Sequence, residues 1–319
     1  MTKTAFGVLV LAFCVGCGSD DDDGGFGSGG FGTGGLGSAG TGVSLGGSSA
    51  NGGATFGGSG GGTFTLPSDF TKADKGGWKL GEPVTGGAPP MMGTGGCNNM
   101  LTGIVRDFKA QPNGHPDFEM NLNEFRVQEG IVADQLGSDQ KPVYGPSGKT
   151  TFSTGPEAFD QWYRSESGVN QPFYLTLFLV PAQGGTFTFE SNAFFPLDGA
   201  GFGDSGNACE NGPMHNFHFT FELHTEFRYN GGENFTFIGD DDVFVFINGR
   251  LALDLGGVHG QETRSIDLDA RAAQLGITRG NSYALDMFHA ERHLCASNFR
   301  VDTTLQFTNC GEFVPDIPR

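Results

Sequence analysis

Between Phe217 and Tyr229 the chain alternates. Odd positions carry Phe217, Phe219, Phe221, Leu223, Phe227 and Tyr229, and even positions carry His218, Thr220, Glu222, His224, Glu226 and Arg228. Period two over this length predicts one long β-strand with a buried face and a wet face. Shorter apolar runs predict strands over 101–108, 173–180, 185–190, 234–238, 243–247, 250–255, 264–268, 283–288 and 299–307. Asn248-Gly249 separates two of these runs, and a type I′ hairpin turn needs φ > 0 at both central residues, which Asn and Gly tolerate best. A short helix is expected over 157–164 with Thr154 as its cap, and a turn or two of helix over 270–275. Residues 109–150 are polar and loop-rich. Strand follows strand without a long amphipathic helix, so the expected fold class is all-β, an antiparallel sandwich.

The N-terminal third reads differently. Lys3 precedes an apolar run from Phe6 to Val15, too short to span a bilayer, which predicts an export signal over 1–17. Gly16-Cys17 is similar to a bacterial lipoprotein cleavage site, with Cys17 as the lipidated residue and Cys14 standing where Leu is usual. The expected location is therefore the cell surface, lipid-anchored at the outer membrane, or the extracellular space. Residues 18–64 form a Gly/Ser-rich stretch that cannot bury enough apolar surface to offset ordering entropy, and a disordered linker is expected there. Residues 65–96 read as a transitional segment with little regular structure, and 312–319 as a tail.

Composition narrows the partners. A net charge of −18 argues against nucleic acid or an anionic membrane surface, both of which need a basic face. It suits a surface protein that attracts divalent cations. Without Cys14 and Cys17, an exported chain keeps Cys97, Cys209, Cys295 and Cys310, enough for two disulfides in any of three pairings.

The densest chemistry lies just before the hairpin, at Asp240-Asp241-Asp242. Three adjacent carboxylates settle most easily in solvent or around a hard cation, for which oxygen ligands select Ca²⁺ or Mg²⁺. Together with Asp254-Leu255-Gly256-Gly257-Val258-His259, Glu291-Arg292-His293 and Ser297-Asn298-Phe299-Arg300, this stretch resembles the fibro-slime domain, a relative of the protective-antigen-type lectin-like β-sandwich. The resemblance covers about 97–311. It implies Ca²⁺ at Asp240 and Asp241, joined by a cis peptide, with Asp242 standing where those lectins often have Gly. A second loop, 293–298, would complete the coordination through carbonyls and Asn298, with Asp254, His259 and His293 as candidate ligand-binding residues at the same rim. It also implies adjacent first and last strands, hence the pairs Cys97–Cys310 and Cys209–Cys295.

Function follows by resemblance: a binding or adhesion module, not an enzyme, with carbohydrate or a surface glycoconjugate as partner and calcium as bridge. A structural matrix or protein-interaction domain with purely stabilising calcium is the alternative. A metal-dependent enzyme is a third reading, because His215, His218 and His224 with Glu222, and His289 and His293 with Glu291, cluster in sequence. Glu291 and Arg292 themselves read as a structural ion pair or turn-stabilising residues. Gly148-Lys149-Thr150 imitates the end of a phosphate loop, but Val143 stands where Gly is required.

Overall fold

In the computed structural model of the chain, the described residues are 55–56, 64–85, 97, 99–207, 209 and 211–314. The export signal, Cys17 and most of the linker lie outside them. All of the described residues fall within one compact unit, Asn51 to Arg319. In chain order its elements are β1 (Thr55–Phe56), β2 (Phe64–Thr65), β3 (Thr71–Lys72), β4 (Gly77–Pro83), β5 (Met100–Phe108), α1 (Pro156–Phe159), β6 (Asn170–Phe178), β7 (Val180–Pro181), β8 (Phe187–Ser191), β9 (Gly206–Asn207), β10 (Met214–His215) and β11 (Phe219–Tyr229). The chain continues through β12 (Asn234–Gly239), β13 (Asp242–Ile247), β14 (Arg250–Leu255), β15 (Glu262–Asp267), α2 (Leu268–Leu275), β16 (Asn281–Glu291), β17 (Phe299–Thr303) and β18 (Gln306–Phe307).

Two antiparallel sheets stack into a sandwich, as the alternation predicts. The larger has the order β14-β13-β16-β11-β5-β6-β4-β3, with β18 also on β11, and the smaller has the order β15-β12-β17-β8-β7. Phe219, Phe221, Leu223, Val243, Val245 and Met287 from one sheet meet Phe189, Phe235, Phe237, Phe299 and Val301 from the other in a single core. Asn248 and Gly249 take φ of 54° and 69°, the double positive φ that the hairpin demands. Residues 65–85 are more ordered than expected: β3 and β4 add to the larger sheet, and Trp78 is buried edge-on against Phe189 and Phe194, while 86–96 lie outside the described residues.

The expected wet face of β11 is not wet. His218, Thr220, Glu222 and His224 are all buried, and only Glu226 and Arg228 reach solvent. The 109–169 excursion folds over the outer face of the larger sheet. There Phe118, Phe152, Phe159 and Trp162 pack with Phe244, Phe246 and Phe288 in a second core. This also explains why every residue of β13 is buried. The helix expected over 157–164 shrinks to one turn, Pro156–Phe159. Its cap is Gly155, while Thr154 donates from both N and Oγ1 to Asp117 Oδ1, each at 2.7 Å. At the other predicted helix, Asp267 caps α2 through Ala270 N, and Gly276 closes it at φ 68°.

Candidate functional site

The aspartate triplet divides where β13 begins, at Asp242. Asp242 opens β13 opposite Ala290, on the side of the second core. Its Oδ2 accepts from Arg292 Nε at 2.6 Å and its Oδ1 from Gly257 N at 2.7 Å. The fully buried Arg292 also donates to the carbonyls of Asp117 and Phe152 and lies over the Trp162 ring, 4.4 Å from its centroid. Asp242 is thus an ion-pair residue facing the excursion, with Arg292 already supplying the positive charge expected of a metal.

Asp240 turns to the 293–298 bend, and Asp241 to the backbone of Arg292 and His259. Asp240 accepts from Asn298 N at 2.5 Å and Asn298 Nδ2 at 2.7 Å, which joins the two segments that the resemblance paired. Asp241 accepts from Arg292 N at 2.8 Å and His259 N at 3.3 Å. The Asp240–Asp241 peptide is trans, contrary to the implied cis bond. The single cis peptide among the described residues is Gln111–Pro112, and Asp241 instead adopts φ 54°, a left-handed conformation that Asp tolerates better than most residues.

A third carboxylate completes the cluster. Glu291, at the end of β16, is 1% exposed; no cation pairs with its oxygens, and its polar neighbours are the Ser297 hydroxyl and the Asp241 carboxyl. Burial, followed by the charges of Asp241 and Asp240, raises its pKa well above the glutamate range. Burial, partly offset by the Arg292 charge and reinforced by Asp242 and Asp240, does the same for Asp241. For Asp240, burial outweighs the Asn298 bonds and the shift is again upward. Buried carboxyls side by side cannot all ionise without a proton or a cation between them. Their oxygens are the right donors for a hard cation. Among the described residues, however, no group of three or more His, Cys, Asp and Glu side chains converges as a metal cage. Each aspartate is turned to N–H donors.

The other expected residues scatter. His259 borders the cluster, 5% exposed, but its ring faces the carbonyls of Gly260 and Leu255. Asp254 leaves the rim altogether: it accepts from Gly130 N at 2.7 Å and Gly256 N at 3.1 Å, and burial pushes its pKa up to about 6. His293 sits 3.3 Å from Glu119 and stacks edge-on with Phe125. The remaining histidines form no shared metal site. His215 pairs with Asp198 at 2.6 Å and His218 with Glu119 at 3.3 Å. His289 points into the phenylalanine core, unpartnered at both nitrogens, where burial drops its pKa to about 3.

His224 belongs to a second buried charge cluster. Glu222 accepts from Arg106 at 2.6 Å, from Lys141 and from His224 Nε2 at 2.5 Å, while His224 Nδ1 meets Asp286 at 2.7 Å. All five side chains are at most 4% exposed. Lys141 reaches in from the excursion and so pins it to the sheet. Arg106 was legible as a lone cation within an apolar strand; Lys141, in a polar loop, carried no signal.

Cys209 and Cys295 form a disulfide that ties the 293–298 bend to the loop before β10, as the resemblance implied. Cys97 and Cys310 are free thiols. They are nonetheless neighbours: burial, then a hydrogen bond that the Cys97 thiol donates to Cys310, raises the Cys97 thiol to about 12.

No protein-family model matches the chain, so the fibro-slime resemblance stands on the residues of the hairpin and the bend alone. The chain is similar to two proteins of Dictyostelium discoideum, protein psiQ (38% identical over 221 residues) and protein psiD (40% over 201 residues). The alignments cover 66% and 60% of this chain but only 22% and 39% of those proteins. Among solved structures, the PA14 sugar-binding domain from an RTX adhesin aligns over 66% of this chain and 94% of its own, at 9% identity and a TM-score of 0.27. The PA14 domain of the MpAFP antifreeze protein aligns over 73% and 94%, at 8% identity and the same TM-score. A TM-score of 0.27 is too low to stand for a shared fold.

Proposed function

We propose that this sandwich is a recognition or adhesion module of a cell surface or extracellular matrix, with carbohydrate as ligand and one calcium ion bound at Asp240, Asp241 and Asn298. The observation that carries the cation is Glu291. A fully buried carboxyl with no cation beside it, packed against two further buried carboxyls, lacks a positive charge. Calcium supplies that charge and accepts an all-oxygen ligand set. Asp240 already bonds Asn298 across the gap between hairpin and bend, and Cys295 anchors the same bend.

Burial favours a stabilising role for the ion over a bridging one. Asp240, Asp241 and Glu291 are 5%, 3% and 1% exposed, which leaves sugar hydroxyls little access to a metal held there. The ion would then hold the hairpin to the bend while the glycan is bound elsewhere. The test is a melting curve in calcium and in chelator, with the same two conditions repeated on a glycan array. An unchanged midpoint removes the cation. A shifted midpoint with no glycan bound in either condition leaves a structural domain.

A further inference from the structure

The edge strands β14 and β15, one from each sheet, end the sandwich on the same side, and between them an open cleft of about 420 Å³ is bounded by Glu129, Asp134, Asp254, Arg264, Arg271 and Gln274. Leu251 and Leu253 supply apolar surface along β14. Arg264 sits opposite Phe237 in register, on the inward face of β15 at the open edge of the sheet. Its guanidinium reaches Glu129 across the cleft at 3.1 Å, and the two side chains remain 44% and 64% exposed. Arg271 and Gln274 project from α2, with Arg271 Nε donating to Gln274 Oε1 at 2.7 Å.

We infer that this cleft is a saccharide site, taking a neutral glycan whose vicinal hydroxyls engage the Arg264–Glu129 pair and the Arg271–Gln274 pair. The inference rests on the recognition function proposed for the domain and moves the sugar away from the calcium. Its chemistry follows from balance. Two guanidinia face the carboxylates of Glu129, Asp134 and Asp254, so neither a phosphate nor a cation meets a field of one sign. Asp254 is committed to two backbone N–H groups. What remains is planar side chains that donate beside planar side chains that accept. A ligand that both donates and accepts at adjacent atoms satisfies both, and vicinal hydroxyls do so. The volume lies within the range of small-molecule sites, and the half-buried Leu251 of β14 offers a surface for the C–H face of a ring.

The test uses the full chain on an array of neutral hexose and N-acetylhexosamine oligosaccharides with sialylated and uronic controls. The double variant Arg264→Ala/Gln274→Ala and the single variant Arg271→Ala change surface groups only, and circular dichroism checks that each is folded. Wild type is expected to bind neutral glycans, and each variant to bind roughly tenfold or more weakly, the effect of losing one or two hydrogen bonds to a charged group. Chelator is expected to leave binding intact below the melting temperature. Unchanged affinity in the variants overturns the inference while leaving the recognition function in place. Binding lost to chelator in a folded protein, or confined to acidic glycans, also overturns it. No glycan bound by wild type overturns both.

Discussion

Two buried charge clusters lie in this domain, and they are built oppositely. In the Glu222 cluster, two acids, Glu222 and Asp286, sit among Arg106, Lys141 and His224, and both Glu222 oxygens accept hydrogen bonds. Its chemistry is complete, and the cations around it hold Glu222 well below the ordinary glutamate range against the opposing effect of burial. In the hairpin cluster, Asp240, Asp241, Asp242 and Glu291 share the one guanidinium of Arg292, which Asp242 takes. Its acids are pushed upward, and Glu291 is left without a cation. A folded core tolerates the first arrangement as a lock. The second is what a site looks like when the balancing charge comes from outside the chain.

The comparison breaks most sharply at Arg292. Replacing it in Arg292→Met strips the acid-rich cluster of its only guanidinium and leaves Asp242 buried without its ion partner. The expected loss is toward the upper end of the roughly 3–5 kcal/mol seen when one partner of a buried pair is removed, measured by urea unfolding. Lys141→Met makes the matching cut in the balanced cluster. Arg106 and His224 still serve Glu222 there, so the expected cost is smaller, about 3 kcal/mol. Limited proteolysis should show the 109–169 excursion released first, because Lys141 is its deepest ionic anchor. A Lys141→Met loss larger than that of Arg292→Met would mean that the two clusters do not differ in this way.

Calcium sharpens the contrast from the other side. If it binds only the folded form, then at about 100 times Kd it adds about 2.7 kcal/mol, and the gain belongs to the acid-rich cluster alone. Glu291→Gln should abolish that gain and at the same time raise the melting temperature of the calcium-free protein, because a neutral amide no longer repels Asp241. Lys141→Met should leave the calcium increment untouched. A calcium increment that survives Glu291→Gln would detach the Glu291 carboxylate from the ion.

The sheet order was not legible in the sequence, yet its ingredients were. The odd-position phenylalanines of β11 and the Asn-Gly turn appear where periodicity and turn chemistry place them. The polar face of β11 misled, because alternation reports which residues share a face and not what covers it. Glu222 and His224 look solvated until the excursion, whose polar loops show no periodicity, is laid over them. The same limit applies at the site. Asp240 and Asn298 were joined by resemblance. Glu291 read as a structural ion-pair or turn residue, and only the coordinates show its carboxylate without a cation. Asp254 looked like part of the rim, but strand β14 carries it to the cleft instead.

Protonation offers the finest test, with opposite signs in the two clusters. Burial lowers the pKa of His224, but its hydrogen bonds to Asp286 and Glu222 outweigh burial and raise it. Its stabilisation is therefore complete below the ordinary histidine pKa near 6.5 and is lost as pH rises through the raised value. Glu222, held low, contributes above the ordinary glutamate range and loses its contribution only as pH falls through its depressed value. The balanced cluster is thus strongest in the mildly acidic range between them. The hairpin acids run the other way: raised above their ordinary range, they weaken the calcium-free fold as pH climbs from about 4, and a cation removes that slope. His224→Gln retains a polar side chain but no titration. It should cost on the order of 1 kcal/mol at pH 6, the scale of a lost hydrogen bond, and progressively less toward pH 9, read as the difference in unfolding midpoint from wild type. A penalty that is the same at both pH values would mean that His224 is neutral in the folded protein and that Glu222 is balanced by Arg106 and Lys141 alone.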